Sequence, residues 1–224
     1  MKKAILAPLA LLALPAFAQS QRVALVFDQT KHQDTTLSTG GPATTLSTDN
    51  TTGLGIRYGF TAAHFGPTAL EFEATYRPRG NEKFLKEDGM EVSYANTGGF
   101  QEIQMSEEYL AAGVGLSWTQ VVDFGFILEV RQESMDLKLS EAGMSYTSRT
   151  ATTRPWLRLH AGYTFPVSMP VKPFVSLGYD LALSKRQPSS GELTSPIVSS
   201  FAGDILSRTV LPKSQIELQA GIRF

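Results

Sequence analysis

Eleven ionisable side chains recur at alternating positions of this chain: Arg57, Glu71, Glu73, Arg77, Glu129, Arg131, Arg158, His160, Asp180, Glu217 and Arg223. Five are carboxylates, five are guanidiniums and one is an imidazole. Paired carboxylates can do general acid–base work, and a histidine between a serine and an acid can activate a nucleophile. The same set suits a different task. An unpaired buried charge is costly and a paired one is tolerable, so balanced acids and arginines brought into one narrow interior would neutralise and lock one another. Glu71, Glu129, Glu217, Arg57 and Arg158 are the expected heart of such a network.

His160 is the one catalytic candidate in the set, with Ser117, Ser176, Glu129 and Asp180 as conceivable neighbours. It falls inside a strand-like segment, where a substrate has no cleft to enter, so a structural role is expected. His32 and His64 stand alone, without zinc-type spacing, and no glycine loop could cradle a phosphate. Glu82, Glu87, Asp88 and Glu91 lack the spacing of a calcium loop and read as a solvated surface. No catalytic, cofactor-binding or metal-binding residue is therefore assigned, and no cofactor is expected.

The elements that position these groups are strands. In QIELQAGIRF, the last ten residues, Ile216, Leu218, Ala220, Ile222 and Phe224 alternate with Gln215, Glu217, Gln219, Gly221 and Arg223. Seven more segments alternate in the same way, at about 21–30, 53–61, 68–77, 107–118, 124–139, 153–165 and 171–183. One face of each is leucine-rich and aromatic, and the other is polar or glycine-rich. Connections after segments two, four and six are short. Those after one, three, five and seven are longer, at about 31–52, 78–106, 140–152 and 184–212. The rhythm predicts an all-β fold, an eight-stranded antiparallel transmembrane β-barrel with short periplasmic turns and long extracellular loops. Aromatics near strand ends are candidates for interfacial belts: Phe60, Phe65, Trp118, Phe124, Tyr163, Phe165 and Phe224 at one edge, Tyr76 and Tyr109 at the other.

The front of the chain agrees. Residues 1–18, MKKAILAPLALLALPAFA, carry two lysines, an apolar stretch and a small-x-small Ala16-Phe17-Ala18, the pattern of a cleaved secretory signal peptide. Residues 19–224 then form the barrel domain. Loss of Lys2 and Lys3 takes the formal net charge from -1 to about -3, which argues against a nucleic-acid partner. The chain has no cysteine, so it makes no disulfides after export.

The signal sequence, the eight alternating segments and the terminal QIELQAGIRF together resemble the small eight-stranded outer-membrane β-barrel family, of which the OmpA transmembrane domain is the familiar member. The resemblance covers essentially the whole mature chain. It implies a bacterial outer-membrane location and contact with outer-membrane lipid and lipopolysaccharide. It also implies handling by the barrel-insertion machinery and periplasmic chaperones during assembly, with Gly221 and Phe224 in the assembly signal, and a monomer at the end. Lipid A deacylases of similar barrel size use a His-x-Ser arrangement, and His160-Ala161-Gly162 does not match it. The family also includes adhesins, structural proteins, enzymes and channels, so fold alone does not choose a task.

The loops hold the remaining signals. TTLST occurs at 35–39 and again at 44–48, with Gly40-Gly41-Pro42 between, an extended hairpin pattern. Residues 90–105 read as another hairpin turning at Asn96 to Gly99, and Phe201, Ile205 and Leu206 could cap the barrel mouth. The expected function is a noncatalytic barrel with a charge-filled lumen, giving envelope structure or displaying surface loops for interaction. The alternative is a narrow channel or lateral-exit transporter for small or apolar solutes.

Overall fold

The computed structural model describes residues 20–37, 44–87, 90–91, 102–119, 121–141, 144–184, 190–193 and 211–224. In chain order these hold strands β1 (Ser20–His32), β2 (Thr35–Leu37), β3 (Thr44–Thr48), β4 (Thr51–Phe65), β5 (Thr68–Arg77), β6 (Lys83–Glu87), β7 (Met90–Glu91), β8 (Glu102–Thr119), β9 (Asp123–Glu141), β10 (Met144–Thr164), β11 (Lys172–Ala182), β12 (Ser190–Leu193) and β13 (Pro212–Arg223). The signal-peptide segment, the Gly40–Pro42 tip, the Asn96–Gly99 turn, Asp88 and the proposed capping residues Phe201, Ile205 and Leu206 lie outside the described residues.

Eight strands close a barrel. β1 pairs with β4, β4 with β5, β5 with β8, β8 with β9, β9 with β10, β10 with β11, β11 with β13 and β13 with β1, all antiparallel. The closing ladder runs from Arg22↔Arg223 to Lys31↔Ser214. Gln21 and Phe224 then exchange the last two backbone hydrogen bonds, 2.7 and 2.9 Å long. The architecture is a closed, eight-stranded antiparallel barrel, as the alternation predicts.

Burial settles which face is inside. On β1 the apolar Leu25 and Phe27 are 57% and 53% exposed, whereas Val26 between them and Asp28 after them are wholly buried. On β13, Ile216 and Leu218 are exposed around a wholly buried Glu217. A soluble barrel would bury the apolar row, and this one turns it outward. The outward row on β8 runs from Leu110 to Trp118. At about 3.4 Å per residue and a tilt of about 40° it rises roughly 21 Å before side-chain radii, close to the apolar band of a transmembrane barrel.

The short turns sit at the end that carries Ser20 and Phe224. Between β4 and β5 only Gly66 and Pro67 leave the ladder, and Gly66 takes φ 64°, a conformation that favours glycine. Aromatics cluster beside these turns. Trp118 stacks on Phe124 at 5.6 Å, Tyr163 meets Phe165 edge-on at 5.2 Å, and Phe60 stacks on Phe72 at 5.2 Å.

At the far end the strands outrun the apolar band. The expected loop 140–152 is largely ladder, since β9 and β10 pair from Gly162↔Asp123 up to Met144↔Glu141. Outside the bilayer a strand needs no apolar face, so hydrophobic alternation stops before pairing does. The other long connections add strands as well. The resulting sheet at the far end runs β2–β3–β6–β8–β9–β10–β12.

Candidate functional site

The interior of the barrel is a stack of ion pairs. At the end near the termini, Arg223 lies 3.1 Å from Asp123. Above them Arg22 grips Glu71 with two bonds of 3.2 and 2.8 Å and also contacts Glu73. In the middle, Arg57 makes a bidentate pair with Glu217 at 2.6 and 2.9 Å and donates to Thr75 at 2.7 Å. Glu73 and Glu129 lie 3.7 and 3.8 Å from the same guanidinium. Arg158 joins those two acids from the opposite wall, 2.8 Å from Glu129 and in contact with Glu73.

The next layer centres on Arg131. It donates to Glu129 at 2.9 Å and to Gln215 at 2.6 Å, and contacts Asp180. Its guanidinium is sandwiched between the Tyr109 ring at 4.7 Å and the Trp156 ring at 4.3 Å, a cation–π arrangement. Towards the far end, Arg77 donates to Asp28 at 3.1 Å and to the Glu107 carbonyl at 2.8 Å. The Glu107 carboxylate takes Thr51 at 2.6 Å and His32 at 3.1 Å. Arg154 holds Glu133 with bonds of 2.7 and 2.9 Å.

The structure thus places Arg57, Glu71, Glu73, Arg77, Glu129, Arg131, Arg158, Asp180 and Glu217 together inside, all buried. Arg223 sits at the mouth, half-buried. His160 faces inward, and among the described residues neither ring nitrogen has a hydrogen-bond partner. Its strand neighbours are glycines, Gly125 and Gly178. A Cβ at Gly125 would stand 2.9 Å from His160 Cε1, so the glycine makes the room the imidazole occupies.

Tyr109 is a correction. It is not a belt residue, because odd positions of β8 point inward and its hydroxyl accepts from Gln215 Nε2 at 3.1 Å. The inward network also takes in Gln215, from the polar row of the terminal strand, and Arg22, Asp28, His32, Glu107, Asp123, Glu133, Arg154 and Trp156, which the sequence reading left out of it. Parity would have found Arg22 and Asp28, since Val23, Leu25 and Phe27 face outward. Glu107, Glu133 and Arg154 lie nearer the far end, where the apolar signal fades.

His32, Thr51 and Glu107 form the one histidine–hydroxyl–acid group bonded together among the described residues, and its order is wrong for nucleophilic catalysis. His32 and Thr51 bind the two oxygens of one carboxylate, so the hydroxyl is not lined up on the imidazole as an activated nucleophile requires. All three side chains are buried. Among the described residues no three His, Asp or Glu groups converge as metal ligands. One gap beside the network, lined by Arg22, Glu73, Ser117, Arg158 and His160, has a cavity volume of about 20 Å³. That is room for about one water.

Outside the barrel, charges decorate the sheet at the far end. Asp136 is shared by Arg79 at 2.7 Å and Arg149 at 2.8 Å. Lys86 lies 2.8 Å from Asp49, and that hydrogen bond holds the carboxyl below its ordinary range.

No protein-family model and no curated protein matches the chain. Solved structures similar to it include Ail, the attachment invasion locus protein of Yersinia pestis, at 12% identity and a TM-score of 0.42 over 92% of this chain and 98% of that one. Neisserial surface protein A is similar at 13% identity and a TM-score of 0.36, over 91% and 95%. A major outer membrane protein from Thermus thermophilus is similar at 12% identity and a TM-score of 0.49, over 91% and 98%.

Proposed function

We propose that this chain is a plugged, noncatalytic barrel of the bacterial outer membrane that anchors a β-sheet on the cell surface for interaction. The carrying observation is the unbroken stack of buried ion pairs from Asp123–Arg223 to Arg154–Glu133. A conducting lumen would expose such groups to a water column, whereas these are nine-tenths buried or more, apart from those at the mouth. The outward apolar rows support a lipid environment, and the closed ladder leaves no edge unpaired within it. The even strand number puts both ends of the barrel domain on one side and the far-end sheet on the other.

The reading supports display over transport for a second reason. Every neighbouring pair of barrel strands is laddered over at least nine residues, so an apolar solute has no lateral exit short of breaking backbone bonds. The display arm predicts that Lys86 faces the medium. Because the chain has no cysteine, a Lys86→Cys variant gives one labelling site on a clean background. A membrane-impermeant maleimide should label it on intact cells. Labelling only after lysis would overturn the orientation, and absence of a heat-modifiable band would overturn the barrel.

A further inference from the structure

The far-end sheet carries a repeat that the plugged barrel does not explain. β2 and β3 hold the two copies of TTLST, at 35–39 and 44–48. Their register is Thr35↔Leu46, Thr36↔Thr45 and Leu37↔Thr44. The second residue of one copy therefore faces the second residue of the other, and the first and third exchange places. This is the pairing that a strand makes with itself across a two-fold axis, TTL against TTL. β3 also pairs along its second edge, with β6, at Leu46↔Glu87, Ser47↔Lys86 and Thr48↔Leu85. A TTLST strand thus takes a neighbour on each of its edges in this fold.

β2 uses one edge. Among the described residues it pairs with β3 alone, and it ends the far-end sheet. Edge strands are normally blunted by charge, proline or a bulge, because their unpaired N–H and C=O groups template another strand. The other outlying strands of this sheet follow that rule, since β7 carries Glu91 and β12 carries Glu192 beside Gly191. β2 has neither charge nor proline within Thr35–Leu37. It is restrained by its length, 3 residues, so a single contact is weak. Many copies crowded in one membrane supply the avidity.

We propose that the partner of this edge is β2 of a second copy of the chain. The two strands run antiparallel about a two-fold axis, with Thr36 opposite its own counterpart and Thr35 opposite Leu37 of the second copy. The sheet then continues from one molecule into the next, and each barrel stays closed by its own strands. The assignment names the partner of the displayed sheet and rests on the display reading above. Sequence selects this occupant over a foreign strand, since the register already formed between β2 and β3 is the one a second copy repeats. It selects β2 over β12 as well, because a β2-to-β12 contact would be heterologous and would grow chains of molecules rather than close a pair.

The test uses the mature barrel in detergent micelles, which leave every relative orientation of two copies open. The chain has no cysteine, so a Thr36→Cys variant carries a single thiol. Opposed residues of an antiparallel pair stand about 4.5–5.5 Å apart at Cα, within reach of a disulfide. Under copper–phenanthroline and oxygen, Thr36→Cys should form a linked dimer. Thr45→Cys, at the same place in the repeat but between β2 and β6, should form almost none. A second arm reverses charge at the axis, since like charges directly opposite destabilise a ladder and unlike ones support it. Donor and acceptor dyes are placed on separate molecules at Lys86→Cys. Energy transfer between them should fall about fivefold in Thr36→Lys or Thr36→Glu alone, and return when those two variants are mixed. Both should keep heat-modifiable migration, because β2 lies outside the barrel ladders. Rescue on mixing shows in addition that neither charge has unfolded the hairpin. Failure of Lys86→Cys to label on intact cells would sink the display reading and leave the micellar dimer standing. Thr36→Cys trapping no faster than that of Thr45→Cys, energy transfer that survives Thr36→Lys, or no rescue on mixing would overturn the self-pairing edge.

Discussion

Replacing Glu217 by glutamine removes one charge from the centre of the lumen and almost no volume. Glu217 is wholly buried, and its two oxygens accept from Arg57 at 2.6 and 2.9 Å. Removing one partner of a buried ion pair typically costs about 3–5 kcal/mol, because the other charge is left uncompensated. Here Arg57 keeps Thr75 at 2.7 Å and has Glu73 and Glu129 within 3.8 Å. Those partners soften the loss, so the expected cost is at the lower end, about 3 kcal/mol. The assay is urea unfolding of the barrel in lipid vesicles. Trp156 is buried beside Arg131, and the other tryptophan, Trp118, lies in the outward row, so a W118F background leaves a single lumen reporter. The partner experiment is R57M/E217M. Exchanging a buried pair for well-packed apolar groups is often neutral, so the double variant should recover most of the single-variant loss. A Glu217→Gln cost below about 1 kcal/mol, or a double variant as unstable as the sum of the singles, would refute the interlocked lumen.

Other expectations follow from the same geometry. Gly115→Val should abolish the heat-modifiable form on refolding, since a Cβ there would stand 1.9 Å from the Phe126 carbonyl oxygen. Gly221→Val should block closure specifically, because its Cβ would meet the Val23 carbonyl at 2.1 Å; an intermediate with β1 and β13 unpaired should then show fast amide exchange in both. Deleting Phe224 removes the final pair of backbone bonds to Gln21 and one lipid-facing ring, and should lower the yield of inserted protein in cells more than the unfolding midpoint of what does insert. Deleting residues 35–48 should change barrel stability by less than about 1 kcal/mol, because that hairpin lies beyond the apolar band; a larger loss by urea titration would mean that the far-end sheet supports the barrel.

The legible part of this chain was the part in lipid. There, each outward position must be apolar and each inward one must fit a narrow interior, so period-two alternation survives in the sequence and reveals Arg57, Glu71, Glu129 and Glu217 as a set. Beyond the band the constraint changes. The pairing of Ser145 with Ser140 and Thr147 with Lys138 continues β9 and β10 through a stretch that reads as loop, because backbone bonds alone specify it. Tyr109 shows a different limit. An aromatic near a strand end suits either an interface or a lumen cation, and only its parity against Leu110 separates the two. His160 was legible as an inward residue but not as one without a hydrogen-bond partner, which depends on glycines two strands apart in the ladder.

The central claim is that the lumen is closed by its own charges. Single-channel recording of the folded, mature protein in planar lipid bilayers tests it most directly. The account predicts no steady conductance from the wild type, and a channel only once the plug is thinned, as in a variant with Arg57, Arg158 and Glu217 all replaced by alanine. A steady open conductance from the wild-type monomer would contradict it.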